Sequence, residues 1–163
     1  AATAELWQIN PSGPAQRLQT LQGNILFNPV VWSPDGQRLA FVQQLVSANN
    51  PLPQLLIANA DGSDPQPIGS ESRLGFWAWS PNSSSFLYSW EGAYAVGSLG
   101  AEPQITAVPG QAVGGAEWLS NEQFIVATGN NVGWTLTSAN RNGESTPLLT
   151  INGNFPLFAV WSP

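Results

Sequence analysis

The sequence contains no cysteine, no histidine and no lysine, and each absence excludes a class of chemistry. Without cysteine no disulfide can form. Without cysteine and histidine, the chain alone cannot supply a Ser-His-Asp triad, a Cys-His pair, or a zinc or haem site that uses those two residues. Without lysine, Schiff-base chemistry and a phosphate-binding lysine are excluded. Two carboxylates could still hydrolyse a glycoside, but most acids fall in expected turns rather than in one cleft. We therefore expect no enzymatic activity and no cofactor.

Charged residues are scarce as well, at 9% of the chain, and their signs are unbalanced. Four arginines stand against ten acidic residues, which gives a net charge of −6. Nucleic-acid binding depends on cations that neutralise phosphates, so we expect no nucleic-acid partner, and an anionic membrane surface would repel the chain. No apolar run approaches the roughly 20 residues of a membrane-spanning helix. We expect a soluble protein without membrane insertion.

The chain opens with Ala1-Ala2-Thr3-Ala4, without a methionine and without a visible signal peptide. Either a leader has been removed or the segment comes from a longer chain. We favour a periplasmic or otherwise exported protein.

Glycine, proline and tryptophan are abundant, with 16, 14 and eight residues. Because the glycines and prolines are spread along the chain, they predict many turns and little helix. The tryptophans and an apolar fraction of 42% argue against low-complexity disorder. A chain of 163 residues can form one domain with a buried core.

Two short motifs recur along the chain. In the first, an apolar strand ends at a tryptophan, and a tight turn and another apolar run follow it. Its copies are Val31-Trp32-Ser33-Pro34-Asp35-Gly36, Ala78-Trp79-Ser80-Pro81-Asn82, the degenerate Glu117-Trp118-Leu119-Ser120-Asn121, and Val160-Trp161-Ser162-Pro163. In the second, a strand leads through a glycine-bearing turn into a short strand, with the turns at Gly13, Gly62, Gly100 and Gly143.

The spacing of the two motifs predicts the fold. The distance from each turn glycine to the next repeat tryptophan is nearly constant, whereas the distance from that tryptophan to the following glycine varies. We label the strands of one repeat a, which ends at the tryptophan, b, c and d, so that the b–c connection varies most. Four antiparallel strands repeating about every 40 residues predict a β-propeller blade. A β-sandwich has no reason to repeat Trp-Ser-Pro in one register.

These motifs resemble the WD-like repeat of the TolB-type β-propeller family. Residues 32–36, Trp-Ser-Pro-Asp-Gly, followed by Leu-Ala-Phe at 39–41 are similar to that repeat, and the turn 59–63 is similar to its c–d hairpin. The copy at 117–121 departs from the pattern, with Leu and Asn where Ser and Pro are usual. The resemblance implies a ring, typically of about six to eight blades, that binds other proteins. Similar blades also occur beside the catalytic domain of prolyl-oligopeptidase-like enzymes.

We therefore predict an all-β fold, a β-propeller segment of four-stranded antiparallel blades in a single domain over 1–163. Complete blades are expected at about 29–70, 75–109 and 113–150, and a partial fourth blade from 5–20 together with 156–163. Strand b of the partial blade would follow Pro163. Either the segment belongs to a longer ring, or a homodimer or another segment completes the ring.

The repeat tryptophans at 32, 79, 118 and 161 share one register, so we expect each to pack between neighbouring blades rather than to stack on a ligand. Trp7 and Trp134 share the register of strand c and are also expected in the core. Trp77 and Trp90 have no aromatic equivalent in the other repeats and are candidates for a surface role. Residues 61–64, Asp-Gly-Ser-Asp, lack the further glutamate of a calcium loop, so we favour a turn over a metal site.

The alternating direction of strands a to d places the b–c and d–a loops at one end of the blades. The constant a–b and c–d turns lie at the other end. Variable loops on a rigid scaffold commonly carry function, so we expect a protein partner at the b–c and d–a end. The candidate contact residues are Leu45, Asn49 and Leu52 in the first b–c connection, Phe27, Arg73, Asn154 and Phe155 in d–a loops, and Trp77. A solvated loop end without a partner is the alternative.

The function that these features predict is a non-catalytic protein-interaction or scaffolding module. Two alternatives stay open. One is the propeller part of a prolyl-oligopeptidase-like hydrolase whose catalytic domain lies outside this chain, and the other is a carbohydrate-binding propeller. The strands expected to line the ring axis carry one charged residue, Glu117, and hence no convergent polar cluster, which disfavours a small ligand there.

Overall fold

A computed structural model of the chain describes residues 3–25, 30–44, 53–68, 75–90, 92–101, 104–105, 108, 110–130 and 132–153. These residues form fifteen β-strands and no helix, so the prediction of an all-β fold is confirmed. The strands are β1 (Thr3–Gln8), β2 (Gln16–Gln22), β3 (Asn24–Ile25), β4 (Val31–Trp32), β5 (Arg38–Gln44), β6 (Pro53–Asn59), β7 (Gln66–Ile68), β8 (Gly75–Trp79), β9 (Ser85–Trp90), β10 (Ala93–Ser98), β11 (Gln104–Ile105), β12 (Gln111–Trp118), β13 (Gln123–Asn130), β14 (Gly133–Asn140) and β15 (Ser145–Asn152). Within these ranges, no helix is long and apolar enough to cross a membrane.

The chain divides into two compact units, residues 1–74 and 75–163. The second unit contains two four-stranded antiparallel sheets, β8-β9-β10-β11 and β12-β13-β14-β15, in which strands follow one another in chain order. These sheets are the second and the third blade, with strands a to d as expected. The limits predicted for the domain and its blades stay predictions.

The first unit contains a two-stranded sheet, β1-β2, and a larger sheet in which β5, β6 and β7 follow one another. This larger sheet is the first blade. Two short strands share the position of strand a, because β3 pairs with the end of β5 and β4 pairs with its beginning. The hairpin β1-β2 has the c and d strands that the sequence predicts for the partial blade.

The serine of the Trp-Ser-Pro motif holds the a–b turn together. In the first blade, the backbone N–H of Arg38 donates to Ser33 Oγ over 2.9 Å, and this hydroxyl donates to Asp35 over 2.6 Å. In the second blade, Ser80 forms the matching bonds with the N–H of Ser85 and the side chain of Asn82. Both serines are buried. A buried hydroxyl thus closes the hairpin in these two copies, whereas in the degenerate copy the exposed Ser120 accepts a hydrogen bond from the N–H of Gln123.

The core of the second unit lies between the second and the third blade. Large apolar side chains of the second blade meet those of the third in one buried cluster. Its large buried members are Leu87, Tyr94 and Val96 on the second blade, and Trp118, Phe124 and Val126 on the third. In the first unit, Leu6 and Leu21 of the hairpin pack in the same way against Leu39 and Phe41 of the first blade. Each interface buries alternate residues of neighbouring strands, as expected for stacked sheets.

The predicted packing of the repeat tryptophans between blades is confirmed for Trp118, which is buried in the cluster between the second and the third blade, and is wrong for Trp32, which is 38% exposed. Trp79 is also buried, and its ring packs against Phe76 and Phe86 of its own blade. The two buried rings face a phenylalanine across the hairpin at 5.4 and 5.3 Å, whereas Trp32 faces Leu39. Trp161 lies outside the described residues.

The expectation that Trp7 belongs to the core is also wrong, since its side chain is 48% exposed. Trp7 lies on the face of the β1-β2 hairpin opposite to Leu6, and Leu6 is on the face that packs against the first blade. Trp134 is half-buried rather than enclosed in the core.

Candidate binding site

Seven of the eight candidate contact residues lie outside the described residues: Phe27, Leu45, Asn49, Leu52, Arg73, Asn154 and Phe155. The eighth, Trp77 in β8, is half-buried and packs against the core cluster, with its ring centroid 6.1 Å from that of Tyr94. Its Nε1 atom is enclosed and has no hydrogen-bond partner in the described part of the chain. Trp77 thus has a packing role, and its contact with a partner stays a prediction.

The described residues form a cleft of about 520 Å³ at the b–c end of the third blade. It lies where β13 ends, where β14 begins and where β15 ends, and the strands themselves supply most of its lining. The lining residues are Gly110, Thr128, Gly129, Asn130, Val132, Gly133, Trp134, Thr135, Thr150 and Asn152. We call this site the threonine cleft.

Three threonines form a row across the floor of the threonine cleft. Thr128 pairs with Thr135 in the sheet register, and Thr135 pairs with Thr150. Because directly opposed residues share a face, the three side chains lie side by side. Thr128 is buried, and the hydroxyls of Thr135 and Thr150 are 3.4 Å apart. Threonine suits these positions because its branched side chain fits a pleated strand. The result is a row of groups that both donate and accept hydrogen bonds.

A second row runs beside the first and contains Asn130, Gly133 and Asn152, which also pair across the three strands. Gly133 has no side chain, so the middle of this row is a depression between two carboxamides. A Cβ atom at Gly133 would come within 2.9 Å of the carbonyl oxygen of Ile151. Any larger residue would therefore strain the sheet as well as fill the depression.

The b–c turn next to the threonine cleft is fixed by a side chain. Oδ1 of Asn130 accepts hydrogen bonds from the backbone N–H groups of Val132 and Gly133, at 2.8 and 3.2 Å. The N–H of Gly153 donates to the carbonyl of Val132 over 3.0 Å, which ties the end of β15 to the same turn. The rim of the cleft is therefore held in place by hydrogen bonds.

The threonine cleft carries no charge, because none of the ten described residues that line it is ionisable. The ring of Trp134 does not contribute to the floor, since side chains alternate along a strand and Thr135 is the residue on the floor side. The site therefore offers hydroxyls and carboxamides without an ion and without an aromatic platform.

Sequence reasoning missed the threonine cleft, although one signal was present. Thr128 and Thr135 are equidistant from a turn at 131–132, which would place them opposite each other in a tight hairpin. The position of the third threonine, Thr150, could not be inferred by counting from a turn, because a β-bulge between Leu136 and Thr137 shifts the register of β15 against β14.

A wider depression lies at the c–d turn of the β1-β2 hairpin and includes Trp7, Asn10, Pro14 and Arg17. Trp7 Nε1 and Arg17 Nη1 each donate to the carboxylate of Glu5 at 3.1 Å, and these bonds, that of Trp7 above all, hold the pKa of Glu5 below its usual value. All three side chains are exposed, so this is a solvated ion pair on an open surface.

The outer strand of the third blade exposes apolar side chains. Strand β15 has eight residues, whereas the corresponding strands β7 and β11 have three and two. Leu149 is 50% exposed and Ile151 is 39% exposed. Their cross-strand partners are Leu136 and Trp134, so the four residues share the face of the sheet opposite to the threonine cleft. We call this surface the apolar outer face.

Several carboxylates are used inside turns. Asp35 accepts hydrogen bonds from Ser33 and from the N–H of Gln37, and Glu144 accepts one from Asn140 Nδ2. Asp61 accepts from the N–H of Ser63, and the hydrogen bonds of Ser63 hold the pKa of Asp61 below its usual value. Residues 61–64 thus form the predicted Asp-stabilised turn. No group of three acidic side chains that could hold a metal ion occurs in the described ranges.

The sheets define the class of protein: the chain is a β-propeller segment built of four-stranded antiparallel blades. No protein-family model matches the sequence, and no curated protein matches it. A protein of solved structure from Lactobacillus plantarum is similar, with a TM-score of 0.50 and 17% identity, over 94% of this chain and 50% of that one. TolB from Acinetobacter baumannii is similar with a TM-score of 0.39 and 12% identity, over 85% and 47%. This chain spans about half the length of both, and the first likeness supports the fold alone.

Proposed function

We propose that this chain is a non-catalytic protein-interaction module, with its partner at the b–c and d–a end of the blades and on the adjoining apolar outer face. The observation that carries the proposal is the exposure of Leu149 and Ile151 on a blade face that is otherwise built like a buried one. Contiguous exposed apolar side chains on a folded domain commonly mark a protein contact.

The equivalent face of the second blade packs against a neighbouring blade of the same chain. Tyr94 pairs with Ser89, three residues after Phe86, and Leu136 pairs with Ala127, three residues after Phe124. Leu136 therefore occupies in the third blade the position that Tyr94 has in the second. Tyr94 is buried against the third blade, whereas Leu136 is only half-buried. This correspondence supports a partner that covers the apolar outer face with a sheet of its own.

The exposed face is held rigid by hydrogen bonds. This favours binding, because little conformational entropy is lost when a partner binds to it. β15 pairs with β14 from Ser145 to Asn152 except at the bulge, and the turn that ends the face is fixed by Asn130 and by the hydrogen bond from Gly153 to Val132. Val132, in this turn, is exposed as well and adds an apolar side chain at the b–c end.

A non-catalytic role is supported by the residue types that the chain lacks and by the hydrogen bonds of its carboxylates. The chain has no histidine, cysteine or lysine. In the described ranges, Asp35, Asp61 and Glu144 are bound within turns rather than gathered in a cleft. The threonine cleft contains no group that titrates near neutral pH, as general acid–base catalysis requires.

The test is a pull-down from the source cells with the double variant Leu149→Ser/Ile151→Ser. The control is Ile9→Ser, which removes a 79% exposed isoleucine from the c–d turn of the β1-β2 hairpin. We expect wild type and control to retain the same protein, and the double variant to lose it by about tenfold or more, the loss of about 1.4 kcal/mol of binding. The pull-down is carried out separately with the periplasmic and the cytoplasmic fraction. The fraction that contains the partner then tests whether the protein is exported. Retention by the double variant, or no specific protein with the wild type, would contradict the proposal.

A further inference from the structure

We propose that the threonine cleft binds a neutral saccharide, an activity separate from the protein contact proposed above. The two surfaces lie on opposite faces of the third blade, because Thr150 alternates with Leu149 and Ile151 along β15. The inference rests on the hydrogen-bonding groups of the cleft, on their neutrality and on their position in a rigid sheet.

The threonine row matches the chemistry of sugar hydroxyls. The hydroxyls of Thr135 and Thr150 can each act as a donor and as an acceptor, which is also the capacity of each sugar hydroxyl, whereas Thr128 is buried. The hydroxyls of Thr135 and Thr150 lie 3.4 Å apart, so the cleft presents two neighbouring hydroxyls. A ligand with a series of neighbouring hydroxyls can bond to both of them at once.

The two asparagines add directed groups at the edge of the row. Oδ1 of Asn130 is used by the turn, whereas its Nδ2 donates to no other group in the described part of the chain. Asn152 forms no side-chain hydrogen bond with the described residues, and its Oδ1 lies beside the depression at Gly133. Amino and carbonyl groups of carboxamides at both ends of a depression can fix the orientation of a ring that enters it.

The charge balance favours a neutral ligand. An anionic sugar or a phosphate is normally bound by Arg, Lys or a helix N-terminus, and none of these is found among the lining residues. The chain as a whole carries −6, which would repel an anion further. A cation would need carboxylates, which are also absent from the lining.

A peptide is a less suitable occupant. Peptides that bind to sheets add to a strand edge and place alternate side chains into pockets, usually apolar ones. The threonine cleft lies on a sheet face, and the indole of Trp134 is on the other face of the blade. Its volume of about 520 Å³ lies within the range of roughly 300–1,000 Å³ for small-ligand sites.

The experiment is a titration of the ¹⁵N-labelled full chain with neutral oligosaccharides of the glucose, galactose, mannose and N-acetylglucosamine series. Oligosaccharides that contain uronic or sialic acid are the charged comparison. We expect at least one neutral oligosaccharide to shift amide resonances of residues 128–135 and 150–152, and the charged ones to bind more weakly. The variant Thr150→Val, which keeps the shape and removes the hydroxyl, should weaken binding about tenfold.

The matched control is Thr146→Val, an exposed threonine on the same strand outside the cleft. It should bind within about twofold of the wild type, a change of under about 0.5 kcal/mol. The proposal is overturned by the absence of shifts with every neutral oligosaccharide, by shifts that map elsewhere, by equal losses in both variants, or by tighter binding of charged ones. Because Thr150→Val leaves the apolar outer face intact, it should still retain the protein partner, so failure of this proposal is distinguishable from failure of the first.

Discussion

The indole Nε1 of Trp118 donates a hydrogen bond of 3.2 Å to the backbone carbonyl of Ala78. Trp118 ends strand a of the third blade, and Ala78 precedes Trp79, which ends strand a of the second. Trp118 therefore joins the two blades in two ways, because its ring is buried between them and its N–H satisfies a buried carbonyl of the neighbouring blade. At this position tryptophan is favoured over phenylalanine or an aliphatic residue, since those side chains have no N–H to donate.

Replacing Trp118 by Phe should lower the free energy of unfolding by about 1–3 kcal/mol, because the carbonyl of Ala78 loses its donor in a buried position. Replacement by Ala should lower it by about 3–5 kcal/mol, since a cavity is added. The control is Trp32→Phe at the exposed repeat tryptophan, which should change it by less than about 1 kcal/mol. Urea unfolding of the three variants measures these values, and equal losses at Trp32 and Trp118 would disprove the joining role.

The guanidinium of Arg141 lies over the ring of Trp118, 5.1 Å from its centroid, and its Nε donates to the carbonyl of Asn121 over 2.8 Å. Arg141→Gln should therefore destabilise the third blade by about 1–2 kcal/mol, through the lost cation–π contact and the lost hydrogen bond. The nearby carboxylate of Glu122 is exposed and 3.6 Å away. Glu122→Gln should cost less than about 0.5 kcal/mol. Urea unfolding at low and high salt checks both, and a loss at Arg141 that vanishes in high salt would point to the ion pair instead.

The repeats predicted the fold because each combines features that act locally. A tryptophan at the end of a strand and a Ser-Pro-Asp turn specify a hairpin whatever surrounds it, and the structure adds the buried hydroxyl of Ser33 or Ser80 as the reason. The spacing of the copies then implied four strands per blade. The strand-ending tryptophan and the spacing are kept even in the third copy, which has Leu119 in place of the serine.

Burial of the tryptophans and the candidate site could not be predicted in the same way. Trp32 shares the Trp-Ser-Pro motif with Trp79, but it faces Leu39 where Trp79 faces Phe86, so the contact that encloses the ring depends on another strand. The row that Thr150 completes depends on a bulge in the register of two strands. Such features depend on how two strands pair. The sequence of one strand alone does not determine that pairing.

The two tyrosines of the second blade should respond in opposite ways to replacement by phenylalanine. The hydroxyl of Tyr94 lies 2.6 and 2.7 Å from the carbonyl oxygens of Gly114 and Ala127, and its one proton is donated between them. Tyr94→Phe should therefore lower the free energy of unfolding by about 1–2 kcal/mol. The hydroxyl of Tyr88 is buried without a partner in the described part of the chain, so Tyr88→Phe should leave stability unchanged or raise it by up to about 1 kcal/mol. Thermal melts of the two variants decide this, and a loss of stability in Tyr88→Phe would reveal a partner for its hydroxyl.

Burial raises the pKa of Tyr88 to about 12, and this shift should make the protein sensitive to alkali. In the unfolded chain the pKa is about 10, so below this pH both states keep the proton and stability is complete. As the pH rises from about 10 to about 12, the unfolded state loses the proton before the folded state does, and the free energy of unfolding should fall by about 2–3 kcal/mol. Tyr88→Phe has no such proton, so its stability should exceed that of the wild type increasingly above pH 10. Urea unfolding of both proteins between pH 8 and 11.5 measures the difference. Parallel curves over that range would show that the Tyr88 hydroxyl is not enclosed in solution, because a tyrosine open to water would titrate alike in both states.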